Sequence, residues 1–530
     1  MKSLAPPEIT ILREDVHRLL KLGDTGAALD RVQFFVDSII NNPRAVTRVL
    51  GSVELDDICQ DIASSITSVD DQPAIVGSGT VIIASELSRA GGHEEVIRDL
   101  IALDLLEEPV SVLLTDCFGR ADRSMASEFA EENRVSVKIA EGPDSGSRFD
   151  NVLKVLRDEN PKKLLLFFHH QDAIGMCAAL VAAISETVFI HHADHHISLG
   201  VTCKHFLHVD LSNMAFNNCR HHFGIGDNVY WPLVTRKNIK PRKRTAFKAG
   251  DWTSCSVGSP MKFMAGEYLF DYALMLPEIL KTTNGVHLHI GAVPSPLRDA
   301  LEESFQKAAV SFDRVHFISH VPSVAEALVE EQVDIFLGSF PIGGGKSTIE
   351  AMAAGIPLVM HKSYRHRLFC GADIAYPGAL TWNDAAELFS TLAGLTPEIL
   401  SEHSERARNW FDRHHSAAAL TEAFSHSENI PPPLKPHRTN SLFGFLDEER
   451  ALQDNLSSQL EQMKLEVDEA AADAKKIASM QTAALSERDA RIRELEVIHA
   501  RLVKKSNSLK GLAKLLFCYL KAKLDSNGVS

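Results

Sequence analysis

The chain has 530 residues, enough for several domains, and its 45% hydrophobic content is that of a protein with real cores. A net charge of −15 argues against nucleic acid as a main partner, since that role needs a basic face. No apolar run reaches the roughly 18–20 residues that cross a bilayer. The start, MKSLAPPEIT, lacks the apolar core of a signal peptide, and the eight cysteines contain no CxxC pair. These features lead us to expect a cytoplasmic chain with reduced thiols, without a disulfide framework or a zinc ribbon.

Residues 1–70 read as a helical segment. Leu19, Leu22, Ala27, Leu29, Phe35 and Ile39 recur near helical spacing around a break at Gly23-Asp24. No second copy follows at a fixed period, so a helical cap on the next domain is expected and a repeat array is not. Residues 71–235 then alternate. Runs at 80–85 (TVIIAS), 110–115, 135–139, 163–168 (KLLLFF), 187–190 (TVFI) and 206–210 read as strands, with helical stretches such as 94–103 between them. Strands separated by helices imply a parallel sheet with both faces covered.

The basic stretch 236–250 (RKNIKPRKRTAFKAG) reads as a linker to a second αβ series over 251–428. There 255–257, 286–290, 315–319 and 333–338 are strand candidates, and 402–414 is a closing helix. The strand at 333–338 runs into SFPIGGG, then a helix beginning near Ser347, then Gly355, Pro357 and another apolar run. Glycines let backbone amides approach a ligand closely, and a helix start adds unpaired N–H groups and a positive dipole end. The loop suits phosphate, with Lys346, Ser347 and Thr348 as further donors, and Glu350 could accept two ribose hydroxyls. It is not a Walker A loop, because the position five before Gly345 is Phe340. On its own such a loop could equally be an ordinary αβ turn.

A proline-rich linker (429–444) precedes a coiled coil (445–505) and a basic amphipathic tail (506–530). Leu456, Met463, Ala470 and Ile477 lie seven apart, with Leu460, Val467 and Ala474 on the companion position. Leu495, Leu502, Leu509 and Leu516 repeat at the same interval, in a phase that a four-residue stutter would produce. A homo-oligomer through the coil is the expectation. The tail mixes Lys504, Lys505, Lys510, Lys514, Lys521 and Lys523 with Leu512, Leu515, Phe517 and Leu520, which allows peripheral contact with an anionic membrane at its inner face or continuation of the coil.

Three histidine groups follow strands: His93, His169-His170 and the HHADHH run at 191–196. The carboxyl ends of parallel strands line the ligand crevice of such a sheet, so these loops can converge there. Imidazoles and Asp194 could ligate zinc, could satisfy loop carbonyls, or could do acid–base work near neutrality. The spacing lacks HExxH, and no metal is expected. Acid–base chemistry through His192, Asp194 and His195, with His93 as a further candidate, is the functional expectation.

The stretch 333–360 resembles the nucleotide-sugar loop of GT-B glycosyltransferases, most closely the O-GlcNAc-transferase-like and adhesin-glucosylating enzymes. SELSRAGGHEEVIRDL (85–100) is similar to the first glycine loop of GT-B N-domains, and TVFIHHADHHISLG to the segment facing the acceptor. The resemblance covers about residues 73–425. It implies two Rossmann-like domains and a donor site in which Gly343, Gly344, Gly345, Lys346, Ser347 and Thr348 bind the diphosphate and Glu350 the ribose. It further implies Lys262 against the diphosphate and the Ser319-His320 loop at the base. Retaining relatives carry a Glu eight residues before the ribose acid; here that position is Ile342, which points to inversion. The implied activity is metal-independent transfer of a sugar, expected from UDP, to a glycan or protein hydroxyl in polysaccharide biosynthesis, with no cofactor because the nucleotide sugar is a substrate. A coiled-coil scaffold with a silent GT-B part, and a nucleotide-sugar epimerase on the same fold, are the alternatives.

Overall fold

A computed structural model of the chain describes residues 7–66, 77–87, 92–192, 195–235, 239–241, 251–264, 268–365, 370–426, 439–507 and 509–526. Asp194, Gly91, most of the basic linker and most of the proline-rich linker lie outside the described residues. Two compact units emerge, Met1–Leu446 and Asp447–Ser530.

The first unit holds two parallel sheets. The N-lobe strands are β1 (Thr80–Ala84), β2 (Val110–Leu114), β3 (Ser136–Ile139), β4 (Lys163–Phe167), β5 (Glu186–His191), β6 (Leu207–Asp210) and β7 (Val229–Tyr230). They lie in the order β3-β2-β1-β4-β5-β6-β7. The C-lobe strands are β8 (Ser254–Val257), β9 (His287–Ile290), β10 (Val315–Ile318), β11 (Ile335–Leu337), β12 (Leu358–His361) and β13 (Leu380–Trp382), ordered β10-β9-β8-β11-β12-β13. Each lobe therefore repeats the 3-2-1-4-5-6 strand order of a Rossmann-like domain, whose ligand crevice lies beyond the carboxyl ends of the strands. The central strands β1 and β2 are apolar runs because both faces are covered: all five residues of each are buried. The short edge strands β7 and β13 were not legible as strands in the sequence.

The N-terminal segment forms helices Pro7–Lys21, Thr25–Ile40 and Val53–Ile66. The break at Gly23-Asp24 is real: Gly23 has φ +75°, and Asp24 caps the second helix by accepting from the Ala27 amide at 2.9 Å. Leu12, Val16, Leu29, Val32, Leu55 and Ile58 join the N-lobe core beside Phe149, Val152 and Met176, as a helical cap requires.

Within the range 251–428 expected for the C-lobe, helix Ala417–Ser425 packs on the N-lobe. Leu420 and Ala423 are buried with Val96, Leu100 and Trp231, and Phe424 stacks on Trp231 at 4.7 Å between centroids. Its apolar face is completed by N-lobe side chains, which local periodicity does not reveal.

The heptad segment is a helix from Leu442 to Ser506, followed by a helix over Leu509–Ser526. Its first turn belongs to the first unit, where Leu442, Phe445 and Leu446 are buried in the N-lobe core. Beyond it the heptad residues Leu456, Leu460, Met463, Val467, Ile477, Leu495 and Leu502 are all exposed. No helix among the described residues is long and apolar enough to cross a membrane.

Candidate active site

The three histidine loops meet at the carboxyl end of the N-lobe sheet. The knot that holds them is Asp172, a buried carboxylate beyond β4. It caps helix Ala173–Ala182 by accepting from the Gly175 amide at 2.8 Å, and it accepts the hydroxyls of Ser85 at 2.6 Å and Thr115 at 2.5 Å. Ser85 in turn accepts from the His169 amide at 2.7 Å. The ends of β1, β2 and β4 are thus tied to one side chain. Around it, the His93 ring lies 5.1 Å from His169 and 5.4 Å from His192. His170 lies 5.8 Å from His192, 6.4 Å from His195 and 5.7 Å from His196.

These rings are half-buried, and the protein packed around them penalises a positive charge. Burial, then the neighbouring His169, brings His93 down to about 4. Burial, then the other imidazoles, holds His170 and His192 well below the ordinary histidine range. Burial thus favours the neutral form of His93, His170 and His192. His192 Nδ1 lies 3.3 Å from the Ile190 carbonyl. A carbonyl only accepts, so Nδ1 carries the proton and Nε2 is left with its lone pair. His192 therefore presents an unprotonated Nε2. His93 and His195 share its crevice, and Asp194 lies outside the described residues.

The main chain of the histidine loop is held by the N-terminal segment, through the connection after helix Thr25–Ile40 and through helix Val53–Ile66, a role that the sequence did not disclose. The Thr47 amide donates to the His195 carbonyl at 2.7 Å, and the Ser198 amide to the Leu50 carbonyl at 3.1 Å. Buried Asp56 accepts from the Gly200 amide at 2.7 Å, the Thr202 amide at 2.9 Å and the Thr202 hydroxyl at 2.6 Å. Burial, the largest influence, raises this carboxyl to about 6 against those hydrogen bonds.

In the C-lobe, the glycine loop opens helix Gly345–Ala353. Its cap residue, Gly344, offers no side chain, so the first-turn amides stay uncapped. Lys262, at the end of the turn Pro260–Lys262, lies over this loop: a Cβ on Gly344 would sit 2.9 Å from Lys262 Nζ and 2.4 Å from Ser347 Oγ. A Cβ on Gly343 would sit 2.2 Å from the Cys370 carbonyl oxygen, so that glycine is a packing requirement. Gly258 and Gly291 form the floor beneath, where a Cβ on Gly291 would meet the Gly258 carbonyl oxygen at 2.0 Å. Lys262 makes no ion pair among the described residues, and burial lowers its ammonium below the usual lysine range. Glu350 accepts from the Ala325 amide at 3.0 Å, at the start of helix Val324–Glu330. Burial raises its carboxyl, with Ala325 and then Lys346 opposing. Ser319 and His320 are exposed in the loop beyond β10.

Two donor-site expectations are modified. Thr348 is buried and its hydroxyl donates to the Gly344 carbonyl at 2.7 Å, as Ser347 does at 3.2 Å, so both shape the loop. Lys346 does not point at the loop's ligand side. Its ammonium pairs with the buried carboxylate of Asp99 on helix Gly92–Ala102 and donates to the Val234 carbonyl, both at very short range. A long flexible stem lets lysine reach the strongest nearby anion, and a buried carboxylate is such an anion. Because helix Gly92–Ala102 also carries His93, the histidine crevice and the glycine loop flank one interlobe seam.

No family model matches the chain, and no curated protein does. Among solved structures, HepE from Anabaena in complex with UDP and glucose aligns at 13% identity over 66% of this chain and 98% of its own, with a TM-score of 0.49. A glycosyltransferase from Rickettsia africae aligns at 12% over 65% and 96%, with a TM-score of 0.48. The Thermobaculum terrenum O-GlcNAc transferase aligns at 12% over 79% and 82%, with a TM-score of 0.41. The strand order of the two sheets, and not these alignments, defines the fold here.

Proposed function

We propose that the chain is a nucleotide-sugar glycosyltransferase acting without a catalytic metal and inverting the transferred sugar. The observation that carries this reading is the pairing of two features across one seam: a neutral His192 whose Nδ1 carries the proton, and Lys262, with no ion pair among the described residues, lying on an uncapped glycine-loop helix. An acceptor hydroxyl on a glycan or protein passes its proton to His192 Nε2 as its oxygen attacks the anomeric carbon. The bond from that carbon to the diphosphate oxygen breaks, and the electron pair leaves with the nucleoside diphosphate. Lys262 and the helix amides stabilise the growing charge on the leaving group. Glu350 takes the ribose hydroxyls, Ser319 and His320 the base, which we assign as uracil.

The exposed heptad seam supports self-association through the coil, since apolar a and d rows are buried when helices pair. Removing residues after 446 should then convert an oligomer to a monomer in sedimentation. The lysines of the tail, interleaved with exposed Leu512, Phe517 and Leu520, support contact with an anionic membrane face.

Calorimetric titration with UDP and GDP, with and without chelator, tests the donor site. Chelator-independent UDP binding that is lost in Glu350→Ala is the expected result. No binding of either nucleotide would overturn the reading.

A further inference from the structure

Beneath the histidine crevice, at the ends of β5 and β6, lies a second group of side chains that the proposed reaction does not use. His191, His208, Asp210 and Cys219 are each at most 3% exposed, and one ligand atom from each lies within 4.8 Å of the others. His191 Nδ1 is 3.0 Å from Asp210 Oδ1 and 3.4 Å from Cys219 Sγ, while His208 Nε2 is 3.1 Å from Asp210 Oδ1. Parallel pairing sets the two central ligands side by side, since His191 and Asp210 are register partners between β5 and β6. Helix Asn213–His222 then brings Cys219 over the strand ends.

We propose that these four residues form a structural zinc site. Bonds of about 2.0–2.1 Å to nitrogen and oxygen and about 2.3 Å to sulfur make tetrahedral edges of about 3.3–3.6 Å; the three separations named are 3.0, 3.1 and 3.4 Å, and none of the set exceeds 4.8 Å. Two imidazoles, a carboxylate and a thiolate are ligands that suit zinc. A divalent cation held by one carboxylate and one thiolate is neutral as a unit, which is the condition for placing charge in a fully buried site. The carboxylate is also prepared as a one-oxygen ligand: Asn228 donates to Asp210 Oδ2 at 2.7 Å, and Arg220 holds Asn228 through its Oδ1 at 2.9 Å, leaving Oδ1 for the metal. The remote nitrogens, His191 Nε2 and His208 Nδ1, are buried with no partner among the described residues, so each would carry its ring proton without an acceptor when the inward nitrogen binds the metal. No HExxH or CxxC spacing announces this set, because its members come from two strands and a helix. The site is independent of the transfer reaction.

The test uses the full chain. Metal analysis of protein purified without added metal should return about one zinc per chain. Replacement by cobalt(II) should give the thiolate-to-cobalt charge-transfer band and the strong visible absorption of tetrahedral cobalt. Cys219→Ser should abolish the charge-transfer band; because that variant could fold poorly, the wild-type chain is also stripped with a strong chelator, which should lower its melting temperature until zinc is restored. Zinc below about one tenth per chain, together with no cobalt band on reconstitution, would overturn the proposal. So would a charge-transfer band that survives in Cys219→Ser, which would place the metal at the exposed Cys518. Tetrahedral cobalt without that band in the wild-type chain would assign the metal to the crevice histidines and equally overturn it.

Discussion

Replacing Lys346 with methionine keeps the aliphatic stem and removes the charge that faces Asp99. The side chain of Asp99 is 2% exposed and that of Lys346 15%, so the seam between the lobes contains an ion pair with little solvent screening. Deleting one partner of such a pair strands the other, at about 3–5 kcal/mol when the survivor is fully buried. Lys346→Met removes the cation that faces the deeper carboxylate, so we expect about 3 kcal/mol. Asp99→Asn strands an ammonium that can still turn towards water, so we expect about 1 kcal/mol. The double variant should cost less than the sum by about 2 kcal/mol, since neither charge is then left alone. If residues 1–446 melt as one unit, entropy scaling converts 3 kcal/mol into a fall of roughly 3 °C, and more if the lobes separate first. Calorimetry on the four proteins gives the cycle. Strictly additive shifts would refute the pair. The reverse order, with Asp99→Asn the more damaging, would refute the assignment of the deeper charge.

Gly344→Ala should weaken binding of UDP at least tenfold, because its Cβ enters the space of Lys262 Nζ and Ser347 Oγ, whereas Gly345→Ala, whose nearest contact would be 3.3 Å, should change it less than threefold; equal effects in the titration would refute the loop geometry. Asp56→Ala leaves a buried amide donor at Gly200 and a part-buried amide and hydroxyl at Thr202 without their acceptor, so it should cost about 3 kcal/mol and speed hydrogen exchange at residues 195–202. A loss under about 0.5 kcal/mol with unchanged exchange would contradict that anchoring role. Burial holds His93, His289, His361 and His415 down to about 4. Between about pH 4 and 6.5 the unfolded chain then binds more protons at these rings than the folded one, so stability rises with pH across that window and is lost as pH falls through it. Asp56, raised to about 6, pulls the other way, as do Asp37, Asp172 and Glu350, whose carboxyls burial also raises, but burial lowers His170, His192, His196 and His287 as well, so the histidines outnumber the carboxyls. Melting temperatures should fall steadily from pH 7 to pH 5; a flat or rising series would contradict the histidine assignment.

The sequence by itself determined the two αβ series, the glycine loop opening a helix, the histidines at strand ends and the long heptad helix. Each is a local pattern: continuous apolar runs mark strands covered on both faces, and glycine with proline marks the turns between them. Strand ends in a parallel sheet share one edge, so His93, His169, His170 and His192 could be expected to meet before any coordinates were known. The tertiary structure alone decided which surfaces cover one another. Periodicity shows that helix Ala417–Ser425 has an apolar face, but not that Val96, Leu100 and Trp231 of the N-lobe complete it. The composition of the first 66 residues does not say that Thr47, Leu50 and Asp56 hold the histidine loop. The direction of Lys346 was decided by an anion 247 residues away in sequence, and the four candidate zinc ligands by the register of β5 against β6 and one helix over their ends. Local patterns report what a residue needs from its surroundings, while the partner that meets the need is set by long-range packing.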